Sequence, residues 1–201
     1  MKKIFLCAAV AIMSFATAQS QEVRLGIKGG YNMTTLTGDI EDASSRSSFH
    51  LGGLVEVPIS ERFSIQPEVL YSSQGAEYTE TLTGVDDSKI TAKLDYIQVP
   101  IMAKFYAAEG FAIEAGPQIG FLANSTAEFE STVGDVTVIG DEDMEDIKNT
   151  DIGIGVGASY RIPAGLFFGA RYNFGLTDIN EVDNGIKMYN GVFQLSVGYS
   201  F

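Results

Sequence analysis

Gly191-Val-Phe-Gln-Leu-Ser-Val-Gly-Tyr-Ser-Phe201 is the stretch that decides the fold. Phe193, Leu195, Val197, Tyr199 and Phe201 fall on one side of an extended chain, with Gln194, Ser196, Gly198 and Ser200 on the other. Successive side chains of a strand point to opposite faces, so period two with this contrast reads as a strand with one apolar and one polar face. The same alternation recurs upstream. Ile152, Ile154, Val156, Ala158 and Tyr160 oppose Gly153, Gly155, Gly157 and Ser159, while Phe49, Leu51, Val55 and Val57 oppose His50, Gly52 and Glu56. Eight such segments are expected, near 23–32, 48–58, 62–73, 93–106, 111–122, 151–161, 165–175 and 191–201.

Collected over all eight segments, the apolar face carries no charge. The opposite face carries Arg24, Lys28, Glu56, Glu68, Lys104, Glu114 and Arg171, with Gln66, Gln98, Gln118, Asn173, Gln194 and many glycines. Alternation alone does not say which face lies inside a closed sheet. The connections do. Long loops near 33–47, 74–92, 123–150 and 176–190 alternate with short turns at 59–61, 107–110 and 163–164. Short turns on one side and long loops on the other are the layout of a transmembrane barrel, whose apolar face meets lipid. Aromatic residues near both strand ends support two interfacial girdles: Phe63, Phe105, Phe111, Tyr160 and Phe168 on the turn side, and Tyr31, Phe49, Tyr71, Phe121 and Phe174 on the loop side. The expected fold is therefore an all-β, up-and-down antiparallel transmembrane barrel of about eight strands. Its location is the outer membrane, with both termini on the periplasmic, short-turn side.

The chain has 201 residues, 13 Lys and Arg against 26 Asp and Glu, and a net charge of −13. Lys2 and Lys3, the apolar run Ile4–Ala16 and the small-residue site Ala16-Thr17-Ala18 read as a signal peptide over 1–18, leaving 19–201 as one barrel domain. Removing the two lysines makes the remainder more acidic still, which excludes nucleic acid as a partner. Cys7 is the only cysteine and lies in the leader, so no disulfide or thiolate metal site is expected in the barrel. No cofactor is expected.

Several segments together resemble the PorT-like outer-membrane β-barrel family of Bacteroidota. They are Gly26-Ile-Lys-Gly-Gly-Tyr-Asn32, Ile65-Gln-Pro-Glu-Val-Leu-Tyr-Ser72 with Gln74-Gly75-Ala76, Asp95-Tyr-Ile-Gln-Val-Pro-Ile101, Gly116-Pro-Gln-Ile-Gly120, Arg171-Tyr-Asn-Phe-Gly-Leu-Thr177 and Gly198-Tyr-Ser-Phe201. The resemblance covers essentially all of 19–201 and implies the fold and the outer-membrane location; it implies no single task. The end, with Tyr199 and Phe201, also resembles the signal that barrel-assembly machinery reads.

Five features are candidates for function. The inward charges are expected to pair and fill a lumen just wide enough for side chains; a narrow solute channel is the alternative. Asp141, Asp143, Glu145, Asp146 and Asp151 suggest a calcium loop, but Asp146 and Ile152 stand where Gly and a bidentate Glu are needed. A solvated acidic loop is expected, with divalent bridging to anionic glycolipid as a weaker reading. His50, the only histidine, has Ser47 and Ser48 beside it in sequence; a charged interior without an acyl slot argues against an enzyme. Pro67, Pro100 and Pro117 fall inside three adjacent strands at similar heights, where bulges or missing ladder bonds are expected. Gly153-x-Gly155-x-Gly157 is at strand spacing and is not a phosphate loop. The function expected is a non-enzymatic anchoring or partner-binding membrane barrel, its partners being outer-membrane lipid, the assembly machinery and a protein met by the long loops. A soluble periplasmic ligand-binding barrel is the remaining alternative.

Overall fold

The computed structural model describes residues 23–39, 43–80, 86–133, 136–144, 146–182 and 185–201. The expected leader lies outside them. The elements are β1 (Arg24–Gly38), β2 (Ser44–Ser60), β3 (Phe63–Glu80), β4 (Asp86–Ala108), β5 (Phe111–Val133), β6 (Val136–Asp143), β7 (Thr150–Arg161), β8 (Leu166–Gly175) and β9 (Met188–Ser200). All neighbours are antiparallel, in the order β4-β3-β2-β1-β9-β8-β7-β5, and a β4–β5 pairing closes the ring. β6 and β7 share one side of β5: its upper half pairs with β6 and its lower half with β7. The barrel thus has eight positions from nine strands. Closure leaves the transmembrane section without an edge, as hydrocarbon demands.

The short turns need little chain because antiparallel neighbours can be joined directly. Gly110 and Gly165 hold positive φ (73° and 90°), where a side chain would strain the tight turn.

Around the barrel the apolar residues face out. Leu51 is 61 % exposed and Val69 58 %, while Lys28 and Glu68, on the opposite face, are 4 % and 2 %. This belt covers 25–33, 49–57, 63–71, 97–105, 111–121, 152–160, 166–174 and 193–201. The aromatic residues expected at its two rims lie on it, Phe111 and Phe168 at the turn end, Phe49 and Phe174 at the loop end, all substantially exposed. A soluble barrel, with its apolar face inward, is excluded by this arrangement.

Two expectations need correction. The segments 33–47, 74–92 and 123–150, read as loops, are largely strand: β1 continues to Gly38 and β2 starts at Ser44, β3 continues to Glu80 and β4 starts at Asp86, and β5 runs to Val133 before β6. Beyond the belt the inner face also changes character. Leu36, Ala76, Leu94, Tyr96, Ile147 and Ile179, none more than 5 % exposed, form an apolar cluster that caps the barrel at its loop end. Segments 146–148, 176–182 and 185–188 complete this cap. Lys148 N donates to Ile179 O, Glu181 N to Asp146 O, and Ile147 bridges Asn180. Above lipid, water is the outer solvent and an apolar interior is favoured; within lipid the preference is reversed.

Candidate functional site

The lumen charges sort into two knots. β1, β3, β5 and β8 each send one long side chain to the middle of the barrel. Arg171 makes a bidentate pair with Glu68 (Nη1 to Oε2 3.0 Å, Nη2 to Oε1 2.7 Å) and donates from Nε to Glu114 at 2.8 Å. Lys28 reaches Glu68 at 2.7 Å. Gln66 donates to Glu68, and Lys104 donates to Gln66. Bidentate guanidinium–carboxylate pairs combine strength with fixed geometry, so the lumen is cross-braced here. A cavity between these side chains, lined by Lys28, Lys104, Glu114 and Arg171, is about 10 Å³, at the limit for one water.

The second knot sits at the turn end, around Glu56. Its carboxylate accepts from Ser64 Oγ (3.0 Å) and Tyr106 OH (2.5 Å) and faces Arg24 (3.5 Å), Lys104 (3.8 Å) and Arg161 (4.0 Å). Below it opens a vestibule of about 560 Å³ lined by Arg24, Arg62, Tyr106 and Arg161.

His50 does not meet Ser47 or Ser48. Ser47 Oγ bonds Tyr31 OH, and Ser48 donates to Ser73 O. Instead His50 Nε2 lies 2.9 Å from Ser196 Oγ and Nδ1 lies 2.7 Å from Asn32 Oδ1. Gly30 stands between His50 and Ser196 in the ladders, so the ring crosses it without obstruction. Asn32 spends its amide hydrogens on Phe49 O, Ser72 Oγ and Ser73 O. Its oxygen therefore faces His50, which makes Nδ1 the donor and Nε2 the acceptor for Ser196. This is the hydrogen-bond order of a serine–histidine–asparagine triad. It lacks what a triad needs, since the cavity that Ser196 lines has no room for a substrate. The sequence missed Ser196 because the contact depends on the register of two strands flanking β1.

Asp141 and Asp143 lie exposed on β6 with Glu142, and Asp146 lies in the cap; Glu145 falls outside the described residues. Among the described residues no three acidic, histidine or cysteine side chains gather as a metal set. Asp151 departs from the reading that placed it with the loop acids. It is 1 % exposed, on the inner face of β7 level with Gly120, at the loop end of the belt. Beyond the belt, a hydrogen bond and ion pair from Lys93 hold the Glu128 carboxyl below the usual range. Backbone N–H groups of Met188 and Asn180 do the same for Asp178.

Pro67, Pro100 and Pro117 mark interruptions without slippage. The β3–β4 ladder stops at Pro67↔Ile101 and resumes at Leu70↔Gln98; β4–β5 stops at Pro100↔Gln118 and resumes at Ala103↔Ala115. β2–β3 lacks pairs between Leu54↔Glu68 and Val57↔Ile65. Register is kept across each gap, so these are missing bonds and not bulges. The β5–β7 ladder runs unbroken through Pro117↔Ile154. Gly153, Gly155 and Gly157 line the inner face of β7. At the end of the chain Tyr199 and Phe201 pack edge to face at 5.4 Å, both exposed.

An inverted, closed, up-and-down barrel with ions inside is one member of a known class, and residues 17–181 match the family model described as outer membrane protein beta-barrel domain. The chain belongs to that family. As an outer-membrane barrel it is an integral protein of the outer membrane. Its structure is similar to that of Ail, the attachment invasion locus protein of Yersinia pestis, at TM-score 0.53 and 15 % identity, covering 90 % of this chain and 99 % of Ail. The complex of Ail with the heparin analogue sucrose octasulfate gives 0.53 and 14 % identity, with the same coverage. Neisserial surface protein A is more distant, at 0.46 and 11 % identity, covering 88 % and 97 %. At such identities the likeness is one of fold. No curated protein matches the sequence.

Proposed function

We propose that this outer-membrane barrel is a non-enzymatic anchoring and partner-binding protein of the PorT-like branch, standing with its loop end outside the cell and its termini in the periplasm. Membrane lipid and the barrel-assembly machinery are its general partners. The observation that carries the reading is the continuation of β3, β4, β5 and β6 past the lipid belt as ordered, exposed sheet. Phe129 and Val138 stand exposed on one face there with Glu142, and Ile139 stands exposed on the other with Asp141 and Asp143. A surface of apolar contacts rimmed by acids suits a partner with a basic rim. The sulfated ligand of Ail does not transfer, because sulfate would meet like charge here.

Photo-crosslinking from position 138 on intact cells tests this. Capture of a discrete protein, weakened by salt and by reversing the charges at 141–143, is the expected outcome. No adduct, or adducts only after the outer membrane is opened, would reject outward-facing partner binding. A channel finds no support in a lumen braced by ion pairs and capped by an apolar cluster.

A further inference from the structure

Asp151 stands apart from the other lumen carboxylates. Glu56, Glu68 and Glu114 each face a cation, whereas Asp151 pairs with none among the described residues. A buried charge left alone is costly and is normally paired or held on a metal. Asp151 Oδ2 accepts from Asn190 Nδ2 at 2.9 Å, and the same amide approaches Tyr96 OH at 3.5 Å. Asp151 Oδ1, Asn190 Oδ1 and both amide atoms of Gln98 are sealed from solvent and have no hydrogen-bond partner. The three residues are 1 % (Asp151), 3 % (Asn190) and 3 % (Gln98) exposed; Gln98 and Asp151 flank Gly120, and Asn190 meets Asp151 from β9.

The ladders fix this meeting. Gln98 and Asp151 are the two cross-strand partners of Gly120, on β4 and β7. The Gln98 amide lies over Gly120, its atoms 2.8–3.1 Å from where a Cβ would stand. With strands spaced about 4.8 Å apart, that brings the amide roughly 5 Å from the β7 wall where Asp151 projects. A side chain at 120 would fill the cradle. Tyr96 and the apolar cap close it from above.

Unpartnered oxygens outnumber unpartnered donors in this cradle, and one of them belongs to a carboxylate. A neutral hydrogen-bonding ligand could bond these groups but would leave the buried carboxylate's charge uncompensated. A hard cation needs oxygen alone. One carboxylate among neutral amide and phenol groups balances one positive charge; a divalent ion would leave net charge buried beneath an apolar lid. We propose that Asp151, Asn190 and Gln98, with the Tyr96 hydroxyl, form a binding site for a dehydrated alkali cation that locks the cap to the barrel.

The test uses the full barrel refolded in detergent micelles at pH 8. Its thermal unfolding midpoint is followed in NaCl, KCl and choline chloride at equal ionic strength. A saturable rise with one or both alkali salts over choline is expected, lost in Asp151→Asn, with the half-saturating concentration raised at least several-fold in Gln98→Leu. Glu128→Gln, in the exposed sheet, keeps the full rise. Equal midpoints in alkali and choline salts, or an alkali effect that survives Asp151→Asn, overturns the site. So does a rise confined to CaCl2, which contradicts the charge match. Should Asp151→Asn fail to refold, excess 23Na relaxation decides the matter: present with the wild-type barrel and reduced with Gln98→Leu, or absent from both.

Discussion

At the residue scale the centre of the lumen is set by Glu68. It holds Lys28 and two nitrogens of Arg171, all buried. Breaking a buried pair by removing one partner leaves uncompensated charge, at a cost of about 3–5 kcal/mol. Glu68→Gln is therefore expected to lose about that much stability, read from urea unfolding in lipid vesicles. A loss under 1 kcal/mol would mean that water reaches these cations. Asp178 gives a second residue-scale prediction. Its carboxylate accepts from the amides of Met188 (3.0 Å) and Asn180 (3.1 Å), which tie residues 178–180 to the start of β9. Its folded pKa is depressed, so the stabilisation is present above the ordinary aspartate value of about 3.9 and is lost as pH falls through the lower folded value. The amide resonances of Asn180 and Met188 should titrate together with a midpoint below that ordinary value. Of these residues, the sequence offered Lys28, Glu68 and Arg171 as inward charges by simple alternation. It could not offer Ser196 as the neighbour of His50, or Asn190 as the neighbour of Asp151. Both depend on which residues become opposite once strands far apart in sequence are zipped together.

At the element scale the strands divide into a lipid-facing half and a water-facing half, and the same substitution should distinguish them. Val197→Arg, near the middle of the belt on β9, is expected to cost about 2–4 kcal/mol in vesicle unfolding experiments. Val138→Arg on β6, at 64 % exposure, should stay within about 0.5 kcal/mol. Equal costs would refute the boundary drawn here. This boundary also explains which parts of the elements the sequence revealed. On β4, inward positions 98, 102 and 104 are Gln, Met and Lys beneath a lipid belt, but inward 96 and 94 are Tyr and Leu, with Asp95 outside. The apolar face changes sides there. A reading that follows one apolar face meets a break at this point and takes the continuing strand for a loop. The transmembrane halves were legible because their phase is constant; the projecting halves were not, because the outer solvent changes from hydrocarbon to water.

For the whole molecule, two seals in series define what can pass. Ion pairs occupy the mid-barrel and the apolar cluster closes the loop end. In planar bilayers the wild-type barrel should carry no steady current. Deleting the cap segment 176–182 should not open one, since the ionic brace remains. Steady conductance in the wild type would require a path that this packing does not leave.

Height is the final consequence of the long strands. β5 contains 23 residues, and its stretch 123–133 rises roughly 35 Å along its own axis at about 3.3 Å per residue. On the proposed orientation that makes the β5–β6 hairpin a mast rooted in a fixed cylinder, with a tip held clear of the headgroups whatever the carbohydrate canopy around it is doing. Short sugar chains would leave the tip in the open. Long ones would submerge it, so the same protein would be displayed or concealed according to the coat the cell is wearing.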